Sequence, residues 1–295
     1  MSGDEFIQCS LNHGANFTQV PGSLALAGGE IARKLRAADG SWNGFAILGM
    51  TDDGDSNGFI WVEGSCLGSW KEVNIQALDL GKIATDGAFF NGAWLVVGEE
   101  FVTGAPRAGR KAPTRKLRWE DGALVPTPPH ALRAATYATQ VVLSEDNGAT
   151  WSSIYTNNTV ATLGIGCKDA LHCCLAQEDA NIAYIQCTSD GFKTLNNFID
   201  GTPGAALVAV GVTASGCYVV VGGAVSNGVQ GAAVYRSCDD GATWAKDALD
   251  SSFPFGLLFT DVDCQNAGLN AGCWATLWDD SGIDPNGFVA KWSEL

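Results

Sequence analysis

Six basic side chains fall within twelve residues of this chain: Arg107, Arg110, Lys111, Arg115, Lys116 and Arg118. Guanidinium groups grip carboxylates and phosphates through paired hydrogen bonds, and ammonium groups add point charge, so the cluster reads as an anion-docking element. It lies in residues 100–137, which also hold Arg133, three acids (Glu100, Glu120 and Asp121) and five of the nine prolines: Pro106, Pro113, Pro126, Pro128 and Pro129. The segment has a net charge of +4 in a chain of −15, which leaves −19 on the rest. A basic, proline-rich arm on an acidic body suits a carboxylate-rich peptide, a phosphate or an acidic glycan. The alternatives are an arm folded back on its own acidic surface, or one that is simply solvated. With acids outnumbering bases 32 to 17, non-specific nucleic-acid binding is not expected.

Two acidic constellations stand beside it. Asp53-x-Asp55-x-Asn57-Gly58 imitates the start of a calcium loop, with oxygen ligands at alternate positions and a glycine at the turn. The twelfth position is Gly64 and Glu63 misses it by one, so no EF-hand is expected, and the plain reading is an acidic hairpin turn. Glu99, Glu178, Asp179 and Asp279 are carboxylates that a glycosidase pair would need, and their separation would decide that chemistry. Their plain reading is solvated loop charge.

The elements that must position these groups come from a repeat. Ser144-Glu-Asp146-Asn-Gly148-Ala-Thr150-Trp151 and Ser237-Cys-Asp239-Asp-Gly241-Ala-Thr243-Trp244 share one signature, with a weaker copy at Thr188-Ser-Asp190-Gly-Phe192-Lys-Thr194-Leu195. The starts lie 44 and 49 residues apart, a period that means one supersecondary unit per repeat. Degenerate copies stand at Ser10–Phe17 and Glu63–Trp70, and each copy follows a short run rich in Val, Ile, Tyr, Phe or Trp. No segment shows a sustained helical period with caps.

This signature resembles the Asp-box, or BNR repeat, of sialidases, sortilin-type receptors and photosystem II assembly factors. The resemblance implies an all-β fold: a single β-propeller over 1–295, built of four-stranded antiparallel blades. In that family the box is the turn between the third and fourth strands of a blade. Ser144, Asp146, Gly148, Trp151, Asp190, Ser237, Asp239, Gly241 and Trp244 are then structural residues of turn staples. The units read as 25–75, 80–156, 157–200, 203–250 and 253–295, which is five blades. A strand from residues 1–20 is expected to complete the last blade, and six blades is the alternative. Closure of that kind removes a free sheet edge.

Cys167 and Cys173 flank the first turn of one unit, and Cys264 and Cys273 flank the same turn in the last. Both pairs are expected as hairpin disulfides, with buried free thiols as the alternative. Disulfides imply an oxidising compartment. No 18-residue apolar run is present, so no membrane span is expected. Residues 1–20 lack the look of a signal peptide. The protein is then secreted or lumenal if the numbering starts after a removed targeting segment, and cytoplasmic otherwise. Asn16-Phe-Thr18 and Asn157-Asn-Thr159 are glycosylation triplets compatible with secretion.

Resemblance to sialidases implies three arginines, a Tyr–Glu nucleophile pair and an Asp acid. The sequence departs from this. Ile31-Ala-Arg33-Lys lacks the aromatic and proline of the amino-terminal arginine motif, Arg236 is the last arginine, and no tyrosine follows Tyr235. The expectation is therefore a non-catalytic binding scaffold, similar to the assembly-factor branch, with no cofactor beyond a candidate calcium at Asp53, Asp55 and Asn57. Its partner is a protein or an acidic glycan, bound on the face opposite the boxes. The alternatives are a lectin that stacks sugars on tryptophans such as Trp42 or Trp119, and a glycoside hydrolase of sialidase-like fold.

Overall fold

The computed structural model describes residues 8–9, 11–12, 15–16, 18–19, 27–36, 42–50, 57–75, 83–90, 92–102, 118–120, 123–125, 136–178, 182–200, 206–226, 229–247, 257–265, 272–279 and 287–292. Every regular element among them is a β-strand. The chain divides into two compact units, Met1–Gly98 with Gln140–Ile154, and Glu99–Thr139 with Tyr155–Leu295.

At the amino terminus β1 (Gln8–Cys9) pairs with β2 (Thr18–Gln19), Cys9 opposite Thr18. Next come β3 (Ala27–Arg36), β4 (Trp42–Met50), β5 (Asn57–Glu63) and β6 (Lys71–Asn74), an antiparallel meander. β7 (Ile83–Phe90) pairs with β3 in parallel and continues the sheet into β8 (Ala93–Val102). A small hairpin, β9 (Arg118–Glu120) and β10 (Ala123–Val125), precedes β11 (Thr136–Ser144) and β12 (Ser152–Asn157), which complete that sheet.

Two four-stranded antiparallel sheets follow. One is β13 (Ala161–Cys167), β14 (Cys173–Glu178), β15 (Ala183–Thr188) and β16 (Asn196–Asp200). The other is β17 (Ala206–Val212), β18 (Tyr218–Ser226), β19 (Val229–Ser237) and β20 (Ala245–Lys246). The last sheet, β21 (Leu257–Gln265), β22 (Gly272–Asp279) and β23 (Gly287–Trp292), has three strands among the described residues.

In the second unit the β17–β20 sheet is covered on both faces. Tyr218 and Val220 meet Cys174, Ile185 and Cys187 of the preceding sheet. Val219 and Val221 meet Phe259, Val262 and Leu277 of the following one. That is why Tyr218–Val221 reads as an unbroken apolar run and not as an alternation. Each buried side chain of this size contributes about 1.5–3 kcal/mol. A Cβ at Gly164 would stand 2.7 Å from the Ala209 Cα, so the missing side chain sets how closely β13 and β17 approach. Each first strand also carries a bulge at the same place, between Thr162 and Gly164, Leu207 and Ala209, and Phe259 and Asp261.

The three signature turns join β11 to β12, β15 to β16 and β19 to β20, and they share one hydrogen-bond plan. Ser144, Thr188 and Ser237 donate to Asp146, Asp190 and Asp239 at 2.8–2.9 Å. The same hydroxyls accept from the backbone N–H of Gly148, Phe192 and Gly241. Each aspartate accepts the N–H of Thr150, Thr194 or Thr243 on one oxygen and its hydroxyl, at 2.5–2.7 Å, on the other. The turn needs two consecutive left-handed residues, Asn147–Gly148, Gly191–Phe192 and Asp240–Gly241. Lys168 reaches from the β13–β14 turn to Asp240, with its Nζ 4.6 Å over the Tyr218 ring, and so ties one signature turn to the neighbouring sheet.

The threonine hydroxyls, then their backbone N–H groups, hold Asp146, Asp190 and Asp239 at about 2, below the ordinary 3.8. A depressed folded-state value contributes stability that is complete above about pH 4 and is lost as pH falls toward 2. The urea midpoint is therefore expected to drop across that window, and the drop to shrink in an Asp146→Asn, Asp190→Asn, Asp239→Asn triple variant. An unchanged pH profile in the variant would remove these turns from the account of acid sensitivity.

All ten cysteines are paired, as Cys9–Cys66, Cys167–Cys173, Cys174–Cys187, Cys217–Cys238 and Cys264–Cys273. Four join neighbouring strands or turns within one sheet. Cys9–Cys66 instead closes 57 residues, which the chain-entropy model values at about 4 kcal/mol, against about 2 for the six-residue Cys167–Cys173 loop. Two-residue strands cannot hold a hairpin alone, so this bond is the anchor of β1 and β2.

Candidate functional site

In the β13–β16 sheet, Ala161, Glu178, Ala183 and Asp200 stand level at one end, and the signature turn leaves β15 at the other. The connection from second to third strand therefore emerges at the end away from the signature turn. In the five successive sheet segments these connections are 51–56, 103–135, 179–182, 227–228 and 280–286. Four are two to seven residues long and one is 33. Loops of that length inside compact folds are usually functional or unstructured. The long one joins β8 to β11 and contains the β9–β10 hairpin, Arg118 opposite Val125. Arg107, Arg110, Lys111, Arg115 and Lys116 lie outside the described residues, as does the side chain of Arg118.

The acidic candidates divide in the same way. Asp53 and Asp55 lie outside the described residues, and Asn57 opens β5 opposite Met50. Glu178 ends β14 and Asp279 ends β22, while Asp179 is outside the described residues. Trp42 and Trp119 belong to β4 and β9. Arg236, the last arginine, pairs with Asp247 at 3.2 Å along the strands that flank a signature turn.

Sequence reasoning missed a buried polar cluster near the same end of the β13–β16 sheet. Thr139 donates to the Val160 carbonyl at 2.8 Å and shares a 3.0 Å bond with Thr162. Gln177 Nε2 donates to Thr162 at 2.7 Å, and all three side chains are fully buried. The one signal was Gln177, a lone amide closing the apolar run Cys173–Ala176. Beside it the Tyr155 hydroxyl donates to Gln186 and accepts from Asn157. Burial pushes the Tyr155 phenol up.

Buried polar groups are costly when a partner is removed. Thr162→Val strips the oxygen shared by Gln177 and Thr139, and is expected to cost about 1–3 kcal/mol by urea unfolding. A neutral effect would mean that the cluster is satisfied without Thr162.

No protein-family model and no curated protein matches the sequence. Solved structures do align with it. A Hadza microbial sialidase aligns over 97% of this chain and 59% of its own length, at 11% identity and a TM-score of 0.53. A NanB sialidase variant from Streptococcus pneumoniae aligns over 97% of this chain and 60% of its own, at 9% identity and a TM-score of 0.52. YCF48 bound to a D1 peptide aligns over 89% and 70%, at 12% identity and a TM-score of 0.44. The chain thus spans about three fifths of the length of the two sialidases. The chain is all-β and shares the fold of these two sialidases, consistent with a β-propeller.

Proposed function

We propose that this chain is a non-catalytic propeller scaffold whose basic arm, residues 100–137, docks an acidic protein segment on the side away from the Asp-boxes. In this reading 1–295 is one five-bladed domain. Arg107, Arg110, Lys111, Arg115, Lys116 and Arg118 grip the partner's carboxylates. The observation that carries the reading is the length of one connection. It has 33 residues where its counterparts have two to seven, and it lies in a segment of +4 on a chain that is otherwise −19. Its five prolines lower the conformational entropy that docking has to remove. The five disulfides favour an oxidising compartment, secreted or lumenal.

Salt provides the test. Screening shortens from about 10 Å at 0.1 M to about 3 Å at 1 M, so an arm-held partner is expected on the immobilised protein at low salt and in the wash at high salt. A partner held equally at both would contradict docking through the arm. Retention on a glycan array in place of any protein would favour the lectin alternative.

A further inference from the structure

We propose that Asn16 carries an N-linked glycan at the amino-terminal hairpin. Asn16-Phe17-Thr18 is an Asn-x-Thr acceptor triplet, and Asn16 and Thr18 are both exposed. Asn16 stands at the seventh position of the first, degenerate box, where its backbone N–H donates to Asn12 Oδ1 at 2.9 Å. In the three signature turns that position is a threonine whose hydroxyl serves the aspartate. Here an amide side chain takes its place at the surface. The fully paired cysteines place maturation in an oxidising compartment, which is where oligosaccharide transfer occurs.

Leu11 belongs to the same turn and is 67% exposed. Leu67, 36% exposed, follows Cys66, whose Cα is 6.0 Å from that of Cys9. Chain geometry then keeps the Leu11 and Leu67 Cα atoms within about 17 Å of each other. The Cys9–Cys66 bond thus limits how far Leu67 can stand from the turn that carries the acceptor. A glycan is bulky and solubilising, and at Asn16 it would stand beside Leu11.

In the modification, Asn16 Nδ2 bonds to C1 of the first sugar of a lipid-diphosphate-linked oligosaccharide. The C1–O bond to the diphosphate breaks, the lipid diphosphate leaves with the bonding pair, and one amide proton passes to base. The second triplet is the contrast. Asn157 is half-buried, its Nδ2 donates to the Tyr155 hydroxyl at 3.1 Å, and its Oδ1 accepts from Thr159 N and Oγ1 at 2.9 and 2.7 Å. Its amide serves the polar network, so it is expected to stay bare.

Glycopeptide mapping of the protein purified from its source tests this. The Asn16 peptide is expected to carry hexose and N-acetylhexosamine increments that peptide-N-glycosidase removes, leaving an aspartate there. Thr18→Ser is expected to keep the increments. Thr18→Ala is expected to lose them and to bind more of a hydrophobic dye. A bare Asn16 peptide in the untreated protein, or sugar on Asn157 alone, overturns the proposal, and neither result depends on a variant folding.

Discussion

Gly148→Ala is expected to lower unfolding stability by about 3 kcal/mol, a large share of the 5–15 kcal/mol typical of a folded domain. Two independent terms add. Gly148 has φ of +80°, where an L-residue is strained by about 1 kcal/mol or a little more. A Cβ there would also clash with the edge of the six-membered ring of Trp94 and stand 2.6 Å from Val73 Cγ1. Trp94 is 2% exposed and sits among Trp61 at 5.3 Å, Phe89 at 6.3 Å and Trp151 at 6.5 Å, so it has nowhere to retreat. Overpacking of such a core costs about 1–3 kcal/mol. Gly64 separates the terms, because it has φ of +77° but open space where its Cβ would be. Gly64→Ala should therefore cost only about 1 kcal/mol. Equal urea midpoints for the two variants would mean that the turn does not pack on the tryptophan cluster.

The same turn shows why some of this molecule is readable from sequence. Asp146, Gly148 and Trp151 act within eight residues, so local chemistry determines them. Trp151 closes the turn by donating from Nε1 to the Gly148 carbonyl. Cys167–Cys173 and Cys264–Cys273 are readable for the same reason, since each bridges one short turn. Cys174–Cys187 and Cys217–Cys238 depend on which residues stand opposite across a ladder, and Cys9–Cys66 on two segments 57 residues apart. Composition carries no register. Nor does it announce the bulges that displace Leu163, Val208 and Thr260, because any side chain can occupy them. The Thr139–Thr162–Gln177 cluster joins residues from three strands, and only Gln177 stood out as a polar group in an apolar run. At the candidate site, charge and topology were legible, since they need only the count of residues between strands. The arm offered no more than its charge and its length, because a basic, proline-rich segment has no apolar period to read.

The second large effect concerns that arm. Changing Arg107, Arg110, Lys111, Arg115, Lys116 and Arg118 together to Gln removes six positive charges and keeps polarity and approximate length. At about 0.5 kcal/mol for each exposed ion pair, docking weakens by roughly 3 kcal/mol, which is more than a hundredfold in Kd. Stability should barely change, since all six lie in the 103–135 connection between β8 and β11. The urea midpoint of the variant is thus the control for folding.

The decisive measurement is capture from an extract of the source, intact chain and six-Gln variant side by side at low salt. The account predicts a specific protein retained by the intact chain and absent from the variant, with equal unfolding midpoints for the two. The same protein retained equally by both would contradict docking through the arm.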